Sequence, residues 1–124
     1  MAQPQFQQLT WDQVELETVN PQMKRRIVTG ERLTIARIYF KDGFRVPLHS
    51  HEHEQVTQVI SGVLRFWLGA NREKTLDLGP GDVIVIPSNV PHEALCIGDV
   101  EEMDTWSPRR DDWLNKTDDY LRQS

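Results

Sequence analysis

The chain has a single cysteine, Cys96, so no disulfide can form within it, and that composition fits a reducing compartment. Basic residues are in deficit: 14 Lys and Arg stand against 19 Asp and Glu, a formal net charge of −5. An acidic chain without a basic cluster is ill suited to nucleic acid or to an anionic membrane surface. No apolar run approaches the ~20 residues of a membrane-spanning helix. The opening Met1-Ala2-Gln3-Pro4-Gln5-Phe6 also lacks the apolar core of a signal peptide. The expectation is a soluble, cytoplasmic protein. At 124 residues there is room for one sheet-on-sheet core and too little for two. Low-complexity tracts and linkers are missing too.

What is present, from Lys24 to Trp106, is a succession of short apolar or alternating segments, each closed by a turn signal. The signals are Gly30-Glu31, Lys41-Asp42-Gly43, Ser61-Gly62, Gly69-Ala70-Asn71, Gly79-Pro80-Gly81-Asp82, Ser88-Asn89 and Gly98-Asp99. Leu33 to Phe40, Val56 to Ile60, Val63 to Leu68 and Val83 to Ile86 are the most strand-like. About eight or nine strands at this spacing predict an all-β antiparallel sandwich or closed jelly-roll barrel. Residues 1–20, polar and Gln-rich but broken by Trp11, Val14 and Leu16, read as an irregular arm on a single domain spanning 21–124. Pro108 to Arg122 reads as a short terminal helix, with Ser107 as N-cap, proline at the first helical position and Asp111 and Asp112 in the early turns. Trp113, Leu114, Tyr120 and Leu121 are close to helical spacing and would clamp that helix to the barrel.

Histidines are few, four in all, yet three of them, His49, His51 and His53, fall within five residues. Side chains alternate with a period of two along an extended segment, so His49, His51 and Gln55 point to one side. The fourth, His92, follows the glycine-rich turn and the apolar run Val83-Ile84-Val85-Ile86. Three imidazoles and an amide oxygen would hold a divalent ion and leave one or two positions open, as catalytic metal sites do. A solvated histidine-rich loop, a hydrogen-bonded core His92 and a Gln55 bonded to its strand neighbours fit the same residues. A neutral amide in place of a carboxylate would leave the ion its full double charge and make it a strong Lewis acid. His53 shares the parity and is read as lying beside the ligands or at the pocket rim. Cys96, on the face of His92, reads as a small residue packed inside.

Asp104 and Trp106 alternate onto one face of a last strand, with Arg110 soon after. A carboxylate near a dication can shuttle a proton, an aromatic ring can floor a sugar-sized pocket, and a guanidinium can grip a carboxylate with two prongs. A surface acid, a core tryptophan and a helix-surface arginine would give the same spelling.

Taken together, the pattern resembles the cupin superfamily. That family's first motif is matched by Gly43, His49, His51, Gln55 and Gly62, with glutamine in the place of the usual glutamate. Its second is matched by Gly81, Pro87 and His92, with Asn89 where a glycine is usual; asparagine tolerates the left-handed backbone that the glycine serves. The resemblance implies a double-stranded β-helix, the jelly-roll barrel of that superfamily. The run from Asp104 to Leu114, together with Pro47 to Gln55 and Ile86 to His92, is similar to single-domain cupins related to KdgF, the pectin and alginate degradation protein. That similarity spans about Trp11 to Leu114, although Trp106 stands where phenylalanine is common and Arg109 where a second proline is common.

The closer resemblance implies a divalent transition metal (Ni, Fe, Mn, Zn or Co) on His49, His51, Gln55 and His92. It implies substrate and proton-transfer roles for Asp104, Trp106 and Arg110, in the conversion of cyclic 4,5-unsaturated uronates to open-chain keto sugars. A carboxylate-bearing sugar is then the expected small-molecule partner, and a second copy, with the arm crossing over, the expected macromolecular one. Alternative expectations are another metal-cupin reaction, a dioxygenase or lyase acting on a small acid, and a non-catalytic cupin that binds a small ligand.

Overall fold

The computed structural model describes residues 5–122; the first four residues of the expected arm and the last two of the expected domain lie outside the described residues. Eight strands follow a single 3-10 turn at Trp11–Gln13. They are β1 (Glu17–Asn20), β2 (Met23–Thr29), β3 (Thr34–Phe40), β4 (Arg45–His49), β5 (Glu54–Leu68), β6 (Lys74–Leu78), β7 (Val83–Ile86) and β8 (His92–Ser107). Two single-turn helices close the chain, α1 (Asp111–Leu114) and α2 (Asp119–Arg122). Pairing runs β1-β2-β3-β8-β5-β6, with β4 on β8 and β7 on β5, and the pairs are antiparallel.

Strands β5 and β8 organise the barrel because each is long enough to serve both of its sheets. The 101–107 half of β8 lies between β3 and the first half of β5, whereas its 92–97 half lies between β4 and the second half of β5. The transfer from sheet to sheet happens at one level. There the β5–β8 register shifts around Ser61, and Gly62 and Gly98 take φ values of 81° and 79°. A Cβ on Gly62 would sit 2.1 Å from the Asp99 carbonyl oxygen, so only glycine lets the two backbones pass. Ser61-Gly62 and Gly98-Asp99, expected as turns between strands, are therefore bends inside continuous ones.

Alternation does the rest. Thr34, Ala36, Ile38 and Phe40 of β3 are buried while Ile35, Arg37 and Tyr39 are half-exposed. Val59, Leu64 and Phe66 of β5 meet Ala94, Cys96, Val100 and Trp106 of β8 in the same core, closed by Met23, Leu78, Ile86, Trp113 and Leu121. Cys96 packs inside, and burial pushes its thiol up to about 12, which leaves no reactive thiolate. The all-β jelly-roll expectation holds, and no helix among the described residues is long and apolar enough to cross a membrane.

Two expectations at the chain ends need correction. The irregular arm stops before residue 20, because Glu17–Asn20 pairs with β2. The terminal helix over Pro108 to Arg122 is two separate turns. Ser107 does not cap it: it is still paired with Glu54, and its hydroxyl donates to the Arg32 carbonyl. The chain breaks again at Lys116, whose φ of 57° is left-handed. What holds these turns down is a buried charge network. Arg25, fully buried on β2, donates to Asp118 at 2.6 Å and to Glu17 at 2.9 Å, and its guanidinium lies 4.2 Å above the Trp113 ring. Arg122 bonds the same two acids.

Candidate metal centre

His49 ends β4 and His92 begins β8, directly opposite in register, so their rings come within 4.2 Å, centroid to centroid. His51 follows in the β4–β5 connection, and Gln55 is the second residue of β5, opposite Trp106 and Ile86. Each imidazole is oriented by a backbone carbonyl. His49 Nδ1 is 2.8 Å from Pro47 O, His51 Nδ1 is 3.0 Å from His53 O, and His92 Nδ1 is 2.8 Å from Val90 O. A carbonyl only accepts, so each Nδ1 carries the hydrogen and each Nε2 presents a lone pair. One ring nitrogen from each of the three lies within 4.8 Å of the others.

Gln55 completes the set. Its amide nitrogen donates to Thr57 Oγ1 at 2.9 Å, which turns Oε1 toward the histidines. That oxygen accepts from Trp106 Nε1 at 2.8 Å and stands 3.2 Å from His51 Nε2. Burial, with help from the charge of Arg110 and from the neighbouring imidazoles, depresses all three histidines, His49 to about 3 and His51 to about 4. At neutral pH no proton therefore sits between His51 Nε2 and Gln55 Oε1, and His92 Nε2 is buried without a partner. Four converging lone pairs with nothing to neutralise them fit a divalent cation. His53 lies outside the three-histidine group, with its ring edge-on to His51 at 5.3 Å.

Below this group, on β8, lie Asp104 and Glu102, both buried. Burial raises Asp104, the nearby Thr57 hydroxyl, the neighbouring Glu102 and the charge of Arg110 oppose the rise, and the balance is about 6. Arg110 is held between Trp106 and Trp113, 5.0 Å from each ring. Its Nε and Nη2 donate to Asp112 at 2.9 and 2.8 Å, and Nη2 also reaches the Tyr120 hydroxyl at 3.2 Å. The structure thus brings His49, Gln55, His92, Asp104, Trp106 and Arg110 to one cavity, with His51 beside it.

Trp106 departs from its expected part. It is 1% exposed and its ring faces Trp113 and Arg110, so it offers no open face for a sugar; its indole N–H orients Gln55 instead. The cavity measures about 40 Å³. Its roof is the C-terminal segment. Tyr120 was read as a clamp of the terminal helix and Asp112 as an early-turn charge; their place at the site was missed because helical spacing says nothing about two separate turns. Glu102 shares strand parity with Asp104, a signal that was available.

The sequence model of the family described as "Cupin domain" matches residues 36–105. An RmlC-like cupin from Shewanella frigidimarina is 28% identical with a TM-score of 0.78, over 85% of this chain and 93% of that one. KdgF from Halomonas sp. is 31% identical with a TM-score of 0.74, over 82% of this chain and 94% of that one. Oxalate decarboxylase of Bacillus subtilis, at 20% identity and TM-score 0.70, covers 81% of this chain and 29% of its own, a likeness of fold. No curated protein matches the sequence.

Proposed function

Since the chain belongs to the cupin family, we propose that its pocket holds a divalent transition metal and opens cyclic 4,5-unsaturated uronates into their keto form. The observation that carries the metal is the convergence of three imidazoles, each fixed through its Nδ1, with Gln55 Oε1 beside His51 Nε2. His49, His51, Gln55 and His92 would be the ligands, for nickel, iron, manganese, zinc or cobalt. When bound, the ion supplies Lewis acidity toward a carboxylate and a ring oxygen, undiminished by any ligand carboxylate.

The uronate reading is supported by the likeness to KdgF and by the company the ligands keep. Ring opening of such a sugar breaks the C1–O5 bond of the hemiacetal and moves one proton, from the C1 hydroxyl to C4, leaving an aldehyde and a ketone. Asp104, raised to about 6, is mostly ionised at neutral pH yet within about one pH unit of taking a proton, which suits it to that transfer. Arg110 would take the substrate carboxylate by exchanging its bidentate Asp112 partner for it. Trp106 and Trp113 keep the guanidinium in place while that exchange happens. Tyr120 lines the cavity beside His49, so a monosaccharide bound there would lie against it.

The test is the ultraviolet absorbance of unsaturated galacturonate monomer, followed with metal-loaded protein. Accelerated loss of absorbance that disappears in Asp104→Asn is expected; an unchanged spontaneous rate rejects the uronate reading. One second reading is a metal-cupin reaction on a small carboxylic acid, which needs less room than a sugar at the same site. Oxygen uptake or decarboxylation with a small acid, dependent on ferrous or manganous ion, would mark it. Pairing into a homodimer belongs to the same proposal and is supported by the complete exposure of Phe6 and by Val83 and Val85, each 57% exposed on strand β7. Light scattering reads the mass directly, and a monomer at micromolar concentration rejects it.

A further inference from the structure

Resting on that reading, we propose that Glu102 is a positioning residue, a buried neutral acid that donates a hydrogen bond to Asp104 and aims the carboxylate that moves the proton. The two residues alternate inward from β8, are 4% and 3% exposed, and line the same cavity as His49 and His92. What faces them is mostly apolar. Ala36 and Ile38 lie opposite on β3, Thr57 and Val59 on β5, and Arg110 reaches in from the C-terminal segment. Cys96, earlier on β8, is a neutral neighbour, and His49, His92 and Tyr120 are the other titratable groups lining the cavity.

Glu102 Oε2 and Asp104 Oδ1 are both buried without a hydrogen-bond partner. Neither acid belongs to an ion pair among the described residues. Two buried carboxyls two residues apart on one face of β8, lining one cavity with no cation paired to either, disfavour double ionisation, and a proton kept by one of them can serve as donor to the other. The charge of Arg110 bears on Asp104, as does the Thr57 hydroxyl, so Asp104 is the member that ionises. Glu102, driven up by burial and by the adjacent Asp104, keeps the proton. The bond from Glu102 then fixes one Asp104 oxygen and leaves the other free for substrate. Asp104 takes up and releases the transferred proton, while the proton of Glu102 never leaves, so the pair ends each cycle as it began.

The experiment is a pH titration of side-chain carboxyls, labelled with carbon-13 and read by NMR, in the zinc-loaded wild type and its Glu102→Gln and Glu102→Leu variants. Glu102 should remain protonated through neutral pH in the wild type. Glu102→Leu should raise the Asp104 midpoint by about one pH unit, the scale of one lost hydrogen bond to a charged acceptor. Glu102→Gln, whose amide still donates, should leave that midpoint in place. In the uronate assay Glu102→Leu should lose kcat at unchanged KM, with an acid limb displaced in parallel, and Glu102→Gln should recover most of it. A Glu102 ionised at neutral pH overturns the proposal, and that result needs no variant to fold. An unmoved Asp104 midpoint in a folded Glu102→Leu variant, or full kcat there, also overturns it. Titrations as expected without wild-type turnover would uphold the pair and reject the uronate reading.

Discussion

Tyr120 lies across His49, ring centroids 4.6 Å apart and 28° from parallel, so a residue near the C-terminus covers a nitrogen ligand placed more than sixty positions earlier. The same tyrosine accepts from Arg110 and from the Trp113 indole, which ties the roof to the groups beneath it. Removing the ring while keeping the fold should expose the metal. Tyr120→Ala is expected to release metal to a chelator several-fold faster than wild type, whereas Tyr120→Phe, which keeps the stack, should not. Equal release rates in all three would mean that metal leaves by another route.

The indole N–H of Trp106 is the donor that holds Gln55 Oε1 in place. Phenylalanine fills most of the same volume but has no donor. Trp106→Phe should therefore lower metal affinity about tenfold, the lower end of what losing a ligand-orienting partner costs. Competition against a chromogenic chelator measures it. Unchanged affinity would show that Thr57 alone is enough to orient the amide.

How much of this was legible depended on how local each signal was. His49, His51, Gln55 and His92 could be read because strand parity and motif spacing act within one or two elements, and the cupin fold followed from them. Ser61-Gly62 and Gly98-Asp99 were misread because a glycine with positive φ is spelled alike in a hairpin turn and in a bent strand. The proline-led, acidic start after Ser107 looked helical, yet the strand pairing of Ser107 outweighed it. Arg25 was invisible as a core residue, since its partner Asp118 lies 93 positions away and only the closed barrel brings them together. Trp106 was seen as inward but not as covered, because what covers it comes from the segment that was taken for a single helix.

That distant pair gives a second kind of test. Arg25 and Asp118 are both fully buried, so deleting one leaves the other's buried charge with one partner fewer, only Glu17 for Arg25 or Arg122 for Asp118. Asp118→Ala should cost about 3 kcal/mol in urea unfolding, and Arg25→Met combined with Asp118→Leu should cost less than either single change. The C-terminal turns should lose hydrogen-exchange protection in Asp118→Ala before the strands do. Additive losses in the double variant would mean that the two charges are not coupled.

Acid should destabilise the metal-free protein, and the sign follows from the groups already described. Unfolded imidazoles titrate near 6.5, while His49 and His51 fall to about 3 and about 4 in the fold and His92 is lowered as well. In that window the unfolded chain binds protons that the folded one refuses, so stability is lost as pH falls from about 6.5 toward 4. Glu17, Glu93 and Asp112 are held below their usual range by their arginine partners and lose stability in the same direction, at lower pH. Asp104 and Glu102 oppose them. Their raised values mean the fold holds protons that the unfolded chain has released, a contribution that fades as pH rises from 3.8 toward about 6 for Asp104. Between pH 7 and pH 5 the three imidazoles outnumber the two buried acids, so the net slope there should be a loss on acidification. Urea midpoints of the metal-free protein should thus fall between about pH 7 and pH 5, and those of the metal-loaded protein more steeply, since protons must also displace the ion. A metal-free midpoint that holds or climbs on acidification would mean that the histidines are protonated in the fold and are not facing a shared cation site.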